Sequence, residues 1–278
     1  MEGAAPSTRL VSTGASPQTS SPSEIRTQAD PPADAKVTAA QLRPRPLIGP
    51  SLSGGVPIGF VAGWGGYSVS ASAGTPGNLR DGVPDGSVNL GLGLGDPLRS
   101  LGVEVGLGIA SIKNFNANGS FDVAVGRVLV SRSDLQAAVA GGLIDAYTYG
   151  SESGKPPVNG YGVVSLAIPL RKTDPDFHQV LMLSAGFGGN SFAAVNNNFQ
   201  TTETGFFGSA GLELSPTLGV SVGQSNRSTN INLSFIPFRT LPVFINLAAA
   251  DVFAATPYGT VGVLTIGWSD SLQRTNFP

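Results

Sequence analysis

Few side chains in this sequence are equipped for chemistry. Three carboxylates (Glu104, Asp122, Glu213) and three amides (Asn230, Asn232, Asn246) fall inside stretches that otherwise alternate aliphatic with small residues. There is no Cys and one His, His178, so neither a thiol site nor a zinc site built on Cys or clustered His can be assembled. A Ser-His-acid hydrolase would have to use His178, yet no G-x-S-x-G elbow exists, and His178 next to Asp174 and Asp176 reads as a solvated joint residue. GLGLG at 91–95 has the look of a dinucleotide loop, but it lies in an alternating stretch and runs into Asp96-Pro97 instead of opening a helix. DGVPDGS offers Asp81 and Asp85 as oxygen ligands for calcium, although Asp beside Gly is also what a tight turn requires. No catalytic, cofactor-binding or metal-ligating residues are assigned, no cofactor is expected, and the chain does not read as an enzyme.

The composition is unusual for a water-soluble domain. The 278 residues include 38 Gly and 21 Pro, and only 12% are charged; ordinary chains carry about 25% charge and about 7% Gly. With 41% hydrophobic residues and no G-X-Y period, the whole is neither disordered nor collagen-like. A net charge of −2 gives no electrostatic footing for nucleic acid.

Residues 1–55, rich in Ala, Ser, Thr and Pro and without apolar period, read as a disordered tail or linker. They include no apolar h-region of a signal peptide, so an exported protein would be a processed form. From residue 56 to 278 the pattern changes to period two. In LGVEVGLGI, Leu101, Val103, Val105, Leu107 and Ile109 share one face, and Gly102, Glu104, Gly106 and Gly108 share the other, as only a β-strand allows. The same alternation returns in VNLGLGLGD, LGVSVGQS and NINLSF. Weaker versions cover 57–72, 119–130, 135–148, 160–170, 178–189, 204–215, 242–252 and 259–269, giving about twelve strands. Between them lie Gly, Pro, Asn, Asp and Ser clusters, some very short and others near a dozen residues, the two classes of joint that a transmembrane barrel shows at its two ends.

Face composition decides what lies outside. A soluble sandwich turns Lys, Glu, Thr and Arg to water. Here one face is aliphatic, the other is mainly Gly, Ala, Ser and Asn, and the charges gather in the joints. No stretch supplies the roughly 20 apolar residues of a spanning helix; the best candidate is cut by Asn246, Asp251 and Pro257. The fold class expected is therefore all-β: a closed antiparallel up-and-down transmembrane β-barrel of about 12 strands, preceded by a disordered N-terminal segment. Aromatic residues such as Trp64, Tyr67, Tyr147, Tyr149, Phe206 and Trp268 fall near strand ends, where interfacial girdles belong.

The segments GLGLGDPLRSLGVEV, YGVVSLAIPLR and above all FGSAGLELSPTLGVSVGQSNRSTNINLSFIPFRTLPVFINLAAADVF resemble cyanobacterial outer-membrane β-barrel proteins of unassigned function. The resemblance runs over most of residues 85–268. It implies an outer-membrane location and a porin-like barrel but no catalytic residues. Such proteins commonly finish on an aromatic residue in the last strand; here TVGVLTIGW is followed by SDSLQRTNFP.

If the small-residue face points inward, Glu104, Asp122, Glu213, Asn230, Asn232 and Asn246 line the lumen, and the carboxylates favour cations. Pairing of the carboxylates with Arg127 or Arg227 is the competing reading. Twelve strands enclose more space than the eight whose interior side chains just fill, so water or the N-terminal tail, as plug or tether, must account for the rest. The expected function is a porin-like channel for passive diffusion of small solutes or ions, with the lipid bilayer, those solutes and further copies of the chain as partners. The alternative is a non-transporting structural or adhesive envelope protein using the joints at 74–86, 150–159 and 190–204.

Overall fold

The computed structural model describes residues 48–75, 85–113, 115, 117–151, 158–174, 177–189, 192, 204–225, 228–256 and 259–272. Twelve strands run in sequence order: β1 (Gly66–Gly74), β2 (Asp85–Gly95), β3 (Gly102–Ile109), β4 (Gly119–Arg132), β5 (Leu135–Tyr149), β6 (Asn159–Pro169), β7 (Val180–Gly189), β8 (Thr204–Ser215), β9 (Leu218–Ser225), β10 (Ser228–Phe235), β11 (Val243–Ala250) and β12 (Val261–Ser271). Each pairs antiparallel with its neighbours, and β1 pairs β12 from Gly66–Ser271 to Gly74–Val263, closing the barrel. Closure leaves no strand edge, the condition for crossing lipid with strands.

The register fixes which face is which. Leu90 of β2, Leu107 of β3, Phe121 of β4 and Tyr147 of β5 lie side by side and point outward. Along β6 the alternation is plain: Val164 is 50% exposed and Ser165 is 0% exposed. The outward set is aliphatic over the strand centres and aromatic towards the ends. Trp64, Tyr67 and Trp268 stand at one rim; towards the other, Phe121, Tyr147 and Tyr149 form a tilted cluster with ring centroids 6.2 and 5.9 Å apart, and Phe187 pairs with Phe206 across β7 and β8. That is the distribution a bilayer imposes on a barrel.

The two ends differ. Both chain ends of the barrel and the joints at 96–101, 133–134, 170–179, 216–217 and 236–242 lie at one end, here the turn end. The joints at 75–84, 110–118, 150–158, 190–203, 226–227 and 251–260 lie at the other, the loop end, where all but one of the joints have nine or more residues. Residues 76–84, 152–157 and 193–203, which hold most of the joints singled out for adhesive contacts, fall outside the described residues, as does Arg227.

The first wall strand begins at Gly66, later than the pattern over 57–72 suggests. The reason lies in residues 48–65, which do not join the wall: the chain fills the lumen up to Gly63 and leaves it at Trp64 and Gly65. Ile48, Leu52, Val56, Ile58, Phe60 and Val61 are each at most 4% exposed. They make the molecule's hydrophobic core with inward residues of β4–β8: Leu52, Ile58 and Phe60 pack with Val128, Ala138, Ala167, Val180 and Met182, and Val56 and Val61 with Ala124, Ala140, Val163 and Phe207. Ile48 joins Ile236 and Phe244 at the turn end. The inner wall is thus apolar over β4–β8 and lined by Gly, Ser and Asn over much of β9–β12 and β1–β3.

At the rim, Arg132 grips Asp134 with two hydrogen bonds, Nε to Oδ1 at 3.0 Å and Nη2 to Oδ2 at 2.9 Å, and Lys172 Nζ stands 4.0 Å away. The Arg132 hydrogen bonds hold the Asp134 carboxyl below the usual carboxylate range. A depressed carboxyl stabilises the fold above its ordinary value of about 3.9 and loses that contribution as pH falls through its own lower value. Asp134→Asn is expected to flatten the loss of thermal stability in this acid range, by a small amount because the pair sits in solvent; melting in detergent across pH 2–5 measures it. Val164→Arg, at the centre of the lipid-facing band, is expected to lower folding stability in bilayers by about 2–4 kcal/mol, measured by denaturant titration of barrel insertion.

Candidate functional site

The lumen is the one place where polar groups, chain packing and a route between the two ends meet. Its content follows from local sequence. Gly54 and Gly55 both take positive φ, 64° and 80°, and Val56 N–H donates to Ser53 O at 3.2 Å, so SLSGGV makes a tight reversal that residues with a Cβ would resist. The chain enters beside Ile236 and Phe244, reverses under β9 and β10, crosses to β5 and β6, and returns along β4, β3 and β2 to the turn end. It leaves with Trp64 N–H on Gly95 O (2.7 Å) and Gly65 N–H on Gly93 O (3.1 Å), then becomes β1.

A peptide segment in a lumen has backbone groups to satisfy, and the wall supplies acceptors for them. Ser51 N–H donates to Ser234 Oγ (2.8 Å), Gly54 N–H to Ser221 Oγ (3.1 Å), Gly59 N–H to Ser165 Oγ (2.8 Å) and Ala62 N–H to Glu104 Oε2 (3.1 Å). Ser165 is backed by Ser184, their hydroxyls 2.7 Å apart. Glycines make room for the approach. A Cβ at Gly93, Gly211 or Gly223 would run into the carbonyl oxygen of Gly63, Leu52 or Gly54, and one at Gly102 or Gly126 would lie 2.8 or 2.9 Å from Val61. From the other side Phe192, in the β7–β8 joint, stacks on Phe207 with centroids 4.5 Å apart and meets Tyr161 edge-on at 6.1 Å, sealing the apolar half towards the loop end.

All six residues proposed from the sequence sit on inward strand positions, but they do not gather into one ring. Glu104 is 5% exposed and holds Ala62. Glu213, also 5% exposed, accepts Val180 N–H at 2.8 Å near the turn end of β7 and β8. Asp122 accepts the N–H of Asp145, whose φ of 55° marks the irregular pairing of β4 with β5. Arg127 points outward between Val125 and Leu129, so it meets none of these carboxylates. Asn230 Oδ1 accepts Ser228 Oγ (3.0 Å) and Asp251 N–H (3.1 Å), which fastens the β11–β12 joint onto the wall. Asn232 Nδ2 and Asn246 Oδ1 are buried without a hydrogen-bond partner among the described residues, Asn232 beneath Gly55. Ser165, Ser221 and Ser234, the acceptors that matter most, did not stand out in the sequence because serine in an alternating strand has no distinguishing company.

Elsewhere, His178 O accepts Arg171 N–H and Asp174 caps Phe177 N–H at 3.1 Å, while Asp176 and Asp81 lie outside the described residues. Asp85 Oδ1 accepts the N–H groups of Gly86 (2.7 Å) and Lys113 (3.4 Å). Among the described residues no three His, Asp or Glu side chains come together as metal ligands.

In sequence, neither a protein family nor a curated protein matches the chain. In structure, it resembles the NanC porin, with a TM-score of 0.50 and 7% identity over 74% of this chain and all of that one. The likeness is one of fold: a transmembrane porin-type barrel. The KdgM porin aligns with a TM-score of 0.44 and 9% identity, over 73% of this chain and 99% of that one. The outer membrane protein Omp33 of Acinetobacter baumannii aligns at 0.36 and 11%, over 73% and 97%.

Glu104→Leu leaves the buried Ala62 N–H without an acceptor, a loss of about 1–3 kcal/mol. Hydrogen exchange at residues 58–63 is expected to speed up accordingly, and Glu104→Gln, which keeps a carbonyl acceptor, is expected to restore nearly the parental rate.

Proposed function

We propose that this protein is a porin-like barrel of the bacterial outer membrane, a passive route for small solutes or ions whose lumen is closed by its own residues 48–64. The observation that carries this reading is the pairing of a closed barrel, apolar outside, with a lumen filled by a loop of chain instead of by wall side chains. A barrel whose only task was to fill and seal itself could use large inward residues, as eight-stranded barrels do. Here inward Gly, Ser and Asn leave a bore that a removable segment occupies. The short-turn end, which holds both ends of the barrel domain, faces the periplasm and the longer joints face outward, as in outer-membrane barrels generally. The sequence resemblance supports a cyanobacterial envelope as the setting.

Wall chemistry supports a preference among solutes. Among the described residues no Lys or Arg occupies an inward strand position, whereas Glu104, Asp122 and Glu213 do. Once the segment withdraws, such a bore favours cations and neutral hydrogen-bonding solutes over anions. The filled lumen also favours one second reading, a barrel that never opens and serves as an envelope scaffold.

The sequence contains no Cys, so Ser51→Cys with Ser234→Cys introduces a single thiol pair. The 2.8 Å contact between Ser51 N and Ser234 Oγ brings the two positions together, and formation of the bridge is verified by mass spectrometry before conductance is read. In planar bilayers the reduced double variant is expected to show stepwise, cation-selective conductance, and the oxidised one none. Silence in both states, with the barrel folded, would establish the scaffold reading instead.

A further inference from the structure

The described hydrogen bonds from the segment to wall side chains all leave its main chain, while its side chains pack on the apolar wall. Acceptors from four strands spread round the ring, Ser234 of β10, Ser221 of β9, Ser165 of β6 and Glu104 of β3, each take a backbone N–H of residues 51–62. Wall glycines 93, 211 and 223 each lie closest to a backbone carbonyl of the segment, with the Cβ atoms of Ala62 and Leu52 next to the first two. The segment's own side chains supply apolar bulk, and its hydroxyls turn to one another, Ser51 Oγ lying 3.4 Å from Ser53 Oγ. Among the wall donors without a partner in the described residues, Asn232 Nδ2 lies under Gly55. A surface that takes a chain by its backbone draws affinity from main-chain groups that every peptide carries and selects by the pockets for its side chains.

We infer that the lumen wall is a binding site for a glycine-containing peptide loop that reverses on itself, with residues 48–64 as its resident ligand and the same segment of a second copy of this chain as its exchangeable one. The site takes a peptide by hydrogen bonds from ligand N–H groups to Ser165, Ser221, Ser234 and Glu104, and by burying aliphatic side chains at the positions of Leu52, Ile58 and Phe60 against Val128, Ala138, Val180 and Met182. The inference rests on the reading of the lumen as a space the segment can leave, but not on solute passage.

The test keeps the full chain. Gly59→Val places a side chain against the Ala138 carbonyl, so the resident segment cannot seat while every wall residue is unchanged. Gly54→Val, whose Cβ would lie 2.7 Å from the backbone of Val222 and Gly223, does the same at a second point. Retention of the barrel is read from heat-modifiable migration. A fluorescently labelled synthetic peptide of residues 48–64 is then titrated onto each variant in detergent. Saturable binding is expected to both variants, at least about tenfold tighter than to the parent chain, whose site is occupied. N-methylation of the peptide at Ser51, Gly54, Gly59 and Ala62 is expected to weaken binding by more than about tenfold. Absence of binding to a folded variant, or equal binding of the methylated peptide, overturns the inference. Peptide binding to a variant that never conducts would refute the channel reading and leave this one standing; conductance without peptide binding would do the reverse.

Discussion

A ring of twelve strands encloses more volume than glycine, serine and alanine side chains can fill, and the molecule is organised around that deficit. Protein interiors pack to crystal-like density, and voids forfeit contact energy. The space could have been given to water or to larger inward residues. It is occupied instead by residues 48–64, and six of their side chains, Ile48, Leu52, Val56, Ile58, Phe60 and Val61, form a core with the wall. Much else follows. Wall glycines stand where main chain passes, wall serines stand where main-chain donors end, and Glu104 is committed to a backbone contact before it can act on any solute.

The outer face answers a separate demand. Lipid offers no hydrogen bonds, so the ladder must be complete and the side chains aliphatic. The two demands are independent because strand side chains alternate, and each residue serves only one of them. This explains the low charge of the chain. Neither face of the strands has a use for many Lys or Glu, and charge retreats to rims such as the Arg132–Asp134 pair.

The alternation in LGVEVGLGI and VNLGLGLGD made the strands, their inner and outer faces and the barrel legible, since a period of two on a low-charge chain admits few architectures. The inward placement of Glu104 and Asn232 could be read in the same way. What the sequence did not disclose is where the wall begins. PIGFVAGWGGYSVS continues a loosely apolar pattern through Gly66, and nothing local separates residues that join a sheet from residues that are surrounded by one. The partners of residues 51–62 lie some 40 to 180 positions away in the chain, beyond any periodicity argument. Nor could composition assign the stretch 48–55, whose Ser, Gly and Pro match the tail before it; its burial depends on Ile48, Pro50 and Leu52 finding apolar neighbours and on Ser51 and Gly54 finding wall serines far along the chain.

The seam between β1 and β12 joins Gly66 to Ser271, nearly the whole length of the domain. Ribosomal synthesis therefore makes the occupant of the lumen before its container, and the container exists only once the last strand has docked. Until that moment Ile48, Leu52, Ile58 and Phe60 have no enclosed surface to pack against, and they travel as a sticky leader ahead of an unfinished sheet. Assembly must then either fold the ring around a loop held in place or admit the loop afterwards through the end carrying the short turns. Because the loop comes and goes by that same end, neither order requires threading, and a late arrival remains topologically allowed.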